Sequence, residues 1–178
     1  MGQNSFQVAS VLTRSLQPLH GASLSQISPS SIREDSRTFF VTSRTFGGRA
    51  LLQSDRMAQL FIDVLRSYSG RFRIHDFTVM PNHFHLLITL DGELTTERAV
   101  QLIKGNFSYR AKKELGFERE VWQKGFSEDR VYDRESFLAH RRYIENNPIK
   151  AGLVRVPEGY PYCSTYLRRM KSAAAEAE

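Results

Sequence analysis

The sequence predicts an α+β domain: an antiparallel sheet with helices on one face and an extra helix toward the C-terminal end. Three observations predict it. β-branched and aromatic runs at 38–43, 72–80 and 84–90 read as strands. Stretches with apolar residues at 3.6-residue spacing read as helices between them. Met80-Pro81-Asn82 is a tight turn, so the second and third strands are joined as a hairpin, whereas a whole helix separates the first from the second.

The elements follow in order. Residues 1–36 hold nine serines and little periodicity. A short helix over 8–19 and a linker over 23–36, with Pro29 inside it, are expected there, so this part is read as a partly disordered N-terminal extension. The compact unit is expected over 37–156. Its first strand is Thr38-Phe39-Phe40-Val41-Thr42-Ser43, and Gly47-Gly48 marks a turn. Ser54 can cap a helix whose apolar stripe is Met57, Leu60, Phe61, Val64, Leu65 and Tyr68, ended by Ser69-Gly70. The second and third strands follow, the third closed by Asp91-Gly92. A long helix over 96–115 is stopped by Gly116. Val121-Trp122-Gln123 and Arg130-Val131-Tyr132 flank a short strand or hairpin. A last helix over 134–146 is expected to halt at Asn147-Pro148, because the residue before a proline disfavours α geometry. The first six elements of this β-α-β-β-α-β-α order match the split βαβ, ferredoxin-like pattern. The third strand is then central, and its histidines are expected on the open face of the sheet. Residues 157–178 read as a tail, with a low-complexity end at 173–178. No internal repeat is visible.

Bulk composition narrows the function classes. Lys and Arg outnumber Asp and Glu, 25 to 19. That excess draws polyanions, nucleic acid above all, although many soluble proteins carry it without such a partner. Cys163 is the sole cysteine, which excludes an intrachain disulfide framework and a Cys-based zinc cluster. No apolar run approaches the ~20 residues of a membrane span, and the N-terminus offers no signal-peptide pattern. A cytoplasmic protein is therefore expected. There is no P-loop, dinucleotide glycine fingerprint or serine nucleophile elbow.

Two groups of residues can carry chemistry. His83 and His85 alternate with Phe84 on a strand, so both imidazoles share a face and can chelate a divalent ion. The plain alternative is two polar residues on a solvated face. On the last helix, Tyr143 shares a face with His140 and Asn147, off the stripe of Phe137, Leu138, Arg141 and Ile144. A tyrosine hydroxyl is a competent nucleophile beside a metal or base; a half-buried, hydrogen-bonded tyrosine is the plain alternative. His75-Asp76 is rejected as an orienting pair, since neighbouring strand residues face opposite ways. Lys104, Arg110, Lys112, Lys113 and Arg119, with Phe107 and Tyr109, form either a basic, aromatic surface for phosphates and bases or simply a solvated helix face. Trp122 is core or an anchoring rim residue. Arg168, Arg169 and Lys171 can touch a phosphate backbone or keep the tail soluble.

Three runs together resemble a known family. They are His75-Asp-Phe-Thr-Val-Met-Pro-Asn-His-Phe-His-Leu-Leu87, Val121-Trp-Gln-Lys124 and Tyr143-Ile-Glu-Asn-Asn-Pro-Ile-Lys-Ala-Gly-Leu-Val154. In order and spacing, over about residues 37–155, they resemble the REP-associated tyrosine transposases, a branch of the HUH single-tyrosine, insertion-sequence-200-like transposases. The resemblance implies a metal-dependent endonuclease and strand transferase acting on single-stranded or hairpin DNA. It implies Mg²⁺ or Mn²⁺ held by His83, His85 and Asn147, and Tyr143 as the nucleophile that forms a 5′-phosphotyrosine link. The metal is expected to polarise the scissile phosphate, and the retained bond energy makes ATP unnecessary. One departure from the broader superfamily is Asn, not Gln, at the third ligand place. The expected DNA-binding residues are Lys104, Arg110, Lys112, Lys113, Trp122, Gln123, Arg141 and Arg142. No membrane partner is expected, and monomer and homodimer both stay open. Two other readings compete. One is a domesticated relative that grips hairpin DNA or RNA without cutting. The other is a small-phosphoester hydrolase, which lacks an Asp or Glu placed as a third strong ligand.

Overall fold

The computed structural model describes residues 37–176; the helix expected over 8–19 and the linker over 23–36 lie outside the described residues. Among the described residues four strands form one sheet: β1 (Thr38–Arg44), β2 (Phe72–Met80), β3 (His83–Leu90) and β4 (Ser127–Val131), in the order β2-β3-β1-β4. All three pairings are antiparallel, so β3 and β1 are central, as the split βαβ pattern requires.

Two helices cover one face. In α1 (Asp55–Ser67) the Ser54 hydroxyl accepts from the Met57 amide at 3.3 Å, which satisfies one of the free N–H groups of the first turn. In α2 (Thr96–Leu115) Thr95 caps the start, and Gly116 at φ +67° ends the helix in the left-handed conformation. Their apolar stripes meet Val41, Phe77, Phe84, Leu86 and Ile88 from the sheet in the main core.

The other face is not open. α3 (Arg134–Lys150) packs there, with Phe137 and Ile144 against Phe40, Leu87 and Val131. It also runs through Pro148 instead of halting at Asn146. Pro148 is buried in the last turn, and the chain closes immediately after it: Leu153 N–H bonds the Pro148 carbonyl and Gly152 N–H the Ile149 carbonyl, with Gly152 at φ +70°. This terminal motif and the burial of Asn147 and Pro148 override the bias of a pre-proline residue.

The segment after Val156, read from sequence as a tail, also contributes a helix, α4 (Ser164–Ala175). Tyr160 and Cys163 pack on Met80, and Val79 N–H bonds the Tyr162 carbonyl, so the edge of β2 is covered. Sequence periodicity missed α4 because its buried positions are few and polar: Ser164 is its buried residue, and Arg168 turns inward.

What Arg168 reaches is a buried carboxylate. A bulge in β2 between Ile74 and Asp76 inverts the alternation, so His75 and Asp76 both face α3. The rejection of this pair on strand alternation is thus corrected, although no hydrogen bond joins the two. His75 donates to or accepts from Thr89 Oγ1 at 2.7 Å and meets the edge of Phe137. Asp76, 2% exposed, takes Arg168 Nη1 at 2.6 Å, Ser164 Oγ at 2.9 Å and Arg141 Nε at 3.4 Å. Glu145 contacts the same two guanidinium groups. A buried anion with several donors is tolerated, and removing a donor leaves the remainder uncompensated. Arg168→Ala is therefore expected to cost about 2 kcal/mol in urea unfolding, more than an exposed ion pair, and Arg169→Ala close to nothing.

Candidate active site

Strand alternation builds the site. Evenly numbered residues of β1 (Phe40, Thr42, Arg44) and oddly numbered residues of β3 (His83, His85, Leu87) share the face under α3, with Thr42 opposite His85 and Arg44 opposite His83. The rings of His83 and His85 are 4.8 Å apart between centroids. Phe40 stacks on His85 at 5.3 Å and also touches His140 and Tyr143. Tyr143 stands edge-on to His85 at 5.2 Å, and one turn later Asn147 Nδ2 lies 3.0 Å from His85 Nε2. α3 thus brings together the four residues singled out from sequence as nucleophile and ligands.

The hydrogen bonds orient both rings. Asn147 Nδ2 is a donor, so His85 Nε2 presents its lone pair and Nδ1–H donates to Thr42 Oγ1 at 2.6 Å. His83 Nδ1 lies 2.7 Å from Asn82 Oδ1, a pure acceptor, so its Nε2 also carries a lone pair. Burial favours these neutral forms: it pushes the His85 pKa down to about 3, helped by His83 and Arg44, and lowers that of His83. Neutral imidazoles with outer-nitrogen partners are the form a metal ion binds. Among the described residues no cluster of three or more His, Cys, Asp or Glu is placed to hold an ion; the Asn147 amide, turned to offer its oxygen, is the polar group from α3 that could join the two rings as a donor. Two imidazoles and an amide could hold a divalent ion and would leave further positions for oxygen ligands, which a hard ion such as Mg²⁺ or Mn²⁺ needs.

Tyr143 is 42% exposed. Phe40 holds its ring on one side, and the Lys150 ammonium lies 5.0 Å over it. The side chain is ordered by packing yet open to a polymer arriving from solvent.

The expected DNA contacts fare unevenly. Trp122 is 8% exposed, packed on Phe61, Phe84 and Phe107, with Nε1–H bonded to the Lys104 carbonyl; it is core. Lys104 donates to the carbonyls of Gln123 and Gly125 and so fastens that loop. Arg110 pairs with Glu114, Lys112 with Glu118, and Arg141 with Asp76 and Glu145. Lys113 lies over the Tyr109 ring on the far face from the histidines. Gln123 and Arg142 are exposed on the surface. Residues that sequence reasoning passed over, Thr42, Arg44 and Lys150, border the site. Pairing Thr42 and Arg44 with the histidines required the β1–β3 register, which sequence alone does not supply.

Comparisons with known proteins agree with one another. The family described as "Transposase IS200 like" matches residues 49–147. A REP-associated tyrosine transposase of Escherichia coli is 27% identical over 133 residues, covering 74% of this chain and 77% of that protein. A Haemophilus influenzae protein provisionally given the same name is 30% identical over 96 residues, covering 48% of this chain. The alignment spans 54% of that relative's length. A solved REP-associated tyrosine transposase bound to a REP hairpin superposes with a TM-score of 0.58 at 26% identity, over 73% of this chain and 77% of that one.

The buried histidines make stability pH-dependent. Burial lowers the His75 pKa to about 4. Above pH 6.5 the ring is neutral in both states; below it the unfolded chain binds a proton that the folded chain refuses until about pH 4. Stability should therefore fall from pH 6.5 to 4, by about 3 kcal/mol from His75 alone. Urea unfolding in the presence of chelator should record this slope, and His75→Gln should make it shallower by about one proton.

Proposed function

The chain belongs to the IS200-like transposase family, and from that premise we propose that it cuts and rejoins single-stranded DNA at hairpin-forming repeats, with Tyr143 as nucleophile. The observation that carries the reading is the contact between Tyr143 and His85, with Asn147 one turn on: a solvent-open phenol beside two metal-competent imidazoles. The hairpin held by the solved relative supports the substrate class.

In this reading His83, His85 and Asn147 would hold Mg²⁺ or Mn²⁺, which supplies neutralisation of charge on the scissile phosphate. Tyr143 Oη forms the new P–O bond and loses its proton to solvent; the P–O3′ bond breaks and the 3′-oxygen leaves as a hydroxyl. The 5′-phosphotyrosine keeps the ester, so the reverse attack by a 3′-hydroxyl reseals a strand without ATP. Thr42 and Asn82 hold the two rings in the Nδ1–H tautomer. Phe40 fixes the phenol ring against His85, so little orientational freedom remains to be lost on reaction. A single strand is required because a duplex keeps its phosphates away from a side chain seated on a helix over a sheet.

Tyr143→Phe should abolish the covalent protein–DNA adduct seen on a denaturing gel with a hairpin oligonucleotide and Mn²⁺, while hairpin binding persists. Wild-type protein that binds the hairpin tightly, is indifferent to chelator and forms no adduct would instead establish a non-cleaving binder. Thr42→Val removes a ring-orienting partner and should weaken Mn²⁺ binding by about tenfold, read by paramagnetic resonance of free Mn²⁺.

A further inference from the structure

The proposed ligand set carries no charge: two neutral imidazoles and an amide. A charged group acting on both rings is Arg44, paired with His83 across the β1–β3 register and so on the same sheet face. The neighbourhood of the ligands is therefore positive before any ion arrives. A concavity of about 300 Å³ adjoins it, lined by Thr42, Arg44, Gln123, Lys124 and Ser127. Thr42 is shared: its hydroxyl bonds His85, and the residue is part of the concavity's lining. Arg44 and Lys124 have no carboxylate partner among the described residues, whereas Arg110, Lys112, Arg141 and Arg168 all do. Two unpaired cations at the rim of a concavity beside uncharged ligands call for an anion.

Resting on the reading above, we propose that this concavity seats a backbone phosphodiester of the DNA strand, held by Arg44 and Lys124, and that Arg44 makes DNA and metal binding mutually dependent. Without DNA, the guanidinium repels a divalent cation from the imidazole pair. With DNA, the phosphate neutralises Arg44 and offers anionic oxygens close to the ion. Each ligand then raises the affinity of the other by the same factor. The consequence is an enzyme that holds its metal firmly only when a strand is in place. Lys124 precedes β4 and is not paired across from either histidine as Arg44 is, so it helps seat the strand and contributes to DNA affinity alone.

The test measures Mn²⁺ binding by paramagnetic resonance in a Tyr143→Phe background, which prevents cutting. It is run without DNA and with a hairpin oligonucleotide bearing single-stranded flanks. DNA should tighten Mn²⁺ binding about tenfold or more. Adding Arg44→Gln should strengthen Mn²⁺ binding of the DNA-free protein several-fold, shrink the DNA effect, and lower the salt slope of DNA binding by about one. Lys124→Gln should lower the salt slope without changing DNA-free Mn²⁺ affinity. Circular dichroism melts establish that the variants fold. If Arg44→Gln leaves DNA-free Mn²⁺ affinity and the DNA effect unchanged, or if DNA does not tighten Mn²⁺ binding at all, the coupling is overturned while the transposase reading stands. Protein that binds neither Mn²⁺ nor the hairpin removes both.

Discussion

Everything at the site depends on α3 being fastened to the second face of the sheet. The fastening has an apolar and an ionic part. Phe137 and Ile144 meet Phe40, Leu87 and Val131 in a small core, and Asp76 is buried where Arg141 and Arg168 can reach it. A small apolar contact leaves a helix free to slide, whereas a buried carboxylate with three directional partners fixes its position. Asp76 is satisfied only when α3 and α4 are both docked, so the two helices stabilise each other through one side chain. The β2 bulge is what turns Asp76 to that face. An irregularity in an outer strand thereby sets where Tyr143 sits over the central one.

Sequence patterning disclosed the first face well and the second face poorly, for one reason. α1 and α2 bury long apolar stripes, and periodicity with flanking signals locates them: Ser54 and Gly116 behave as side chain and φ freedom dictate. β1 to β3 follow from β-branched runs. α3 and α4 bury a mixture of Asn147, Pro148, Ser164 and Arg168, and no hydrophobic period marks them. Pro148 read as a stop because the tertiary burial that offsets its cost is not local. The Asp76 network is equally invisible, since it joins residues from three separate elements. Trp122 was open to a core or a rim reading, and Lys104 to a phosphate-contacting or a solvated one, until packing put Trp122 inside with Lys104 as a loop fastener. The candidate site was legible to the extent that it is periodic: His83 and His85 at strand spacing, Tyr143 and Asn147 at helix spacing.

The two faces of the sheet divide labour in physical terms. The α1–α2 face is a dry core whose interactions are non-directional. On the α3 face directional partners hold the two imidazoles: Thr42 to His85, Asn82 to His83, Asn147 to His85. Neutral imidazoles in a partly buried setting are costly to protonate; burial lowers the pKa of both rings and keeps the His85 lone pair available well below neutral pH. The same burial that costs stability as the pH falls would therefore preserve the proposed capacity to bind an ion.

The proposed nucleophile, acting on a polymeric substrate, would face opposed demands: it must be held in place, yet no wall may stand where the strand has to lie. The residues around Tyr143 meet both. Phe40 and His85 restrain its ring from the sheet side and Lys150 covers another side, while nearly half of the residue remains accessible. The order comes from below and the access from above. A deep enclosed pocket would order the phenol better but would admit only a small phosphoester. The shallow, cation-rimmed surface at this site fits the proposed flexible strand instead, which would bend a single phosphate down to the phenol while its neighbours stay in solvent.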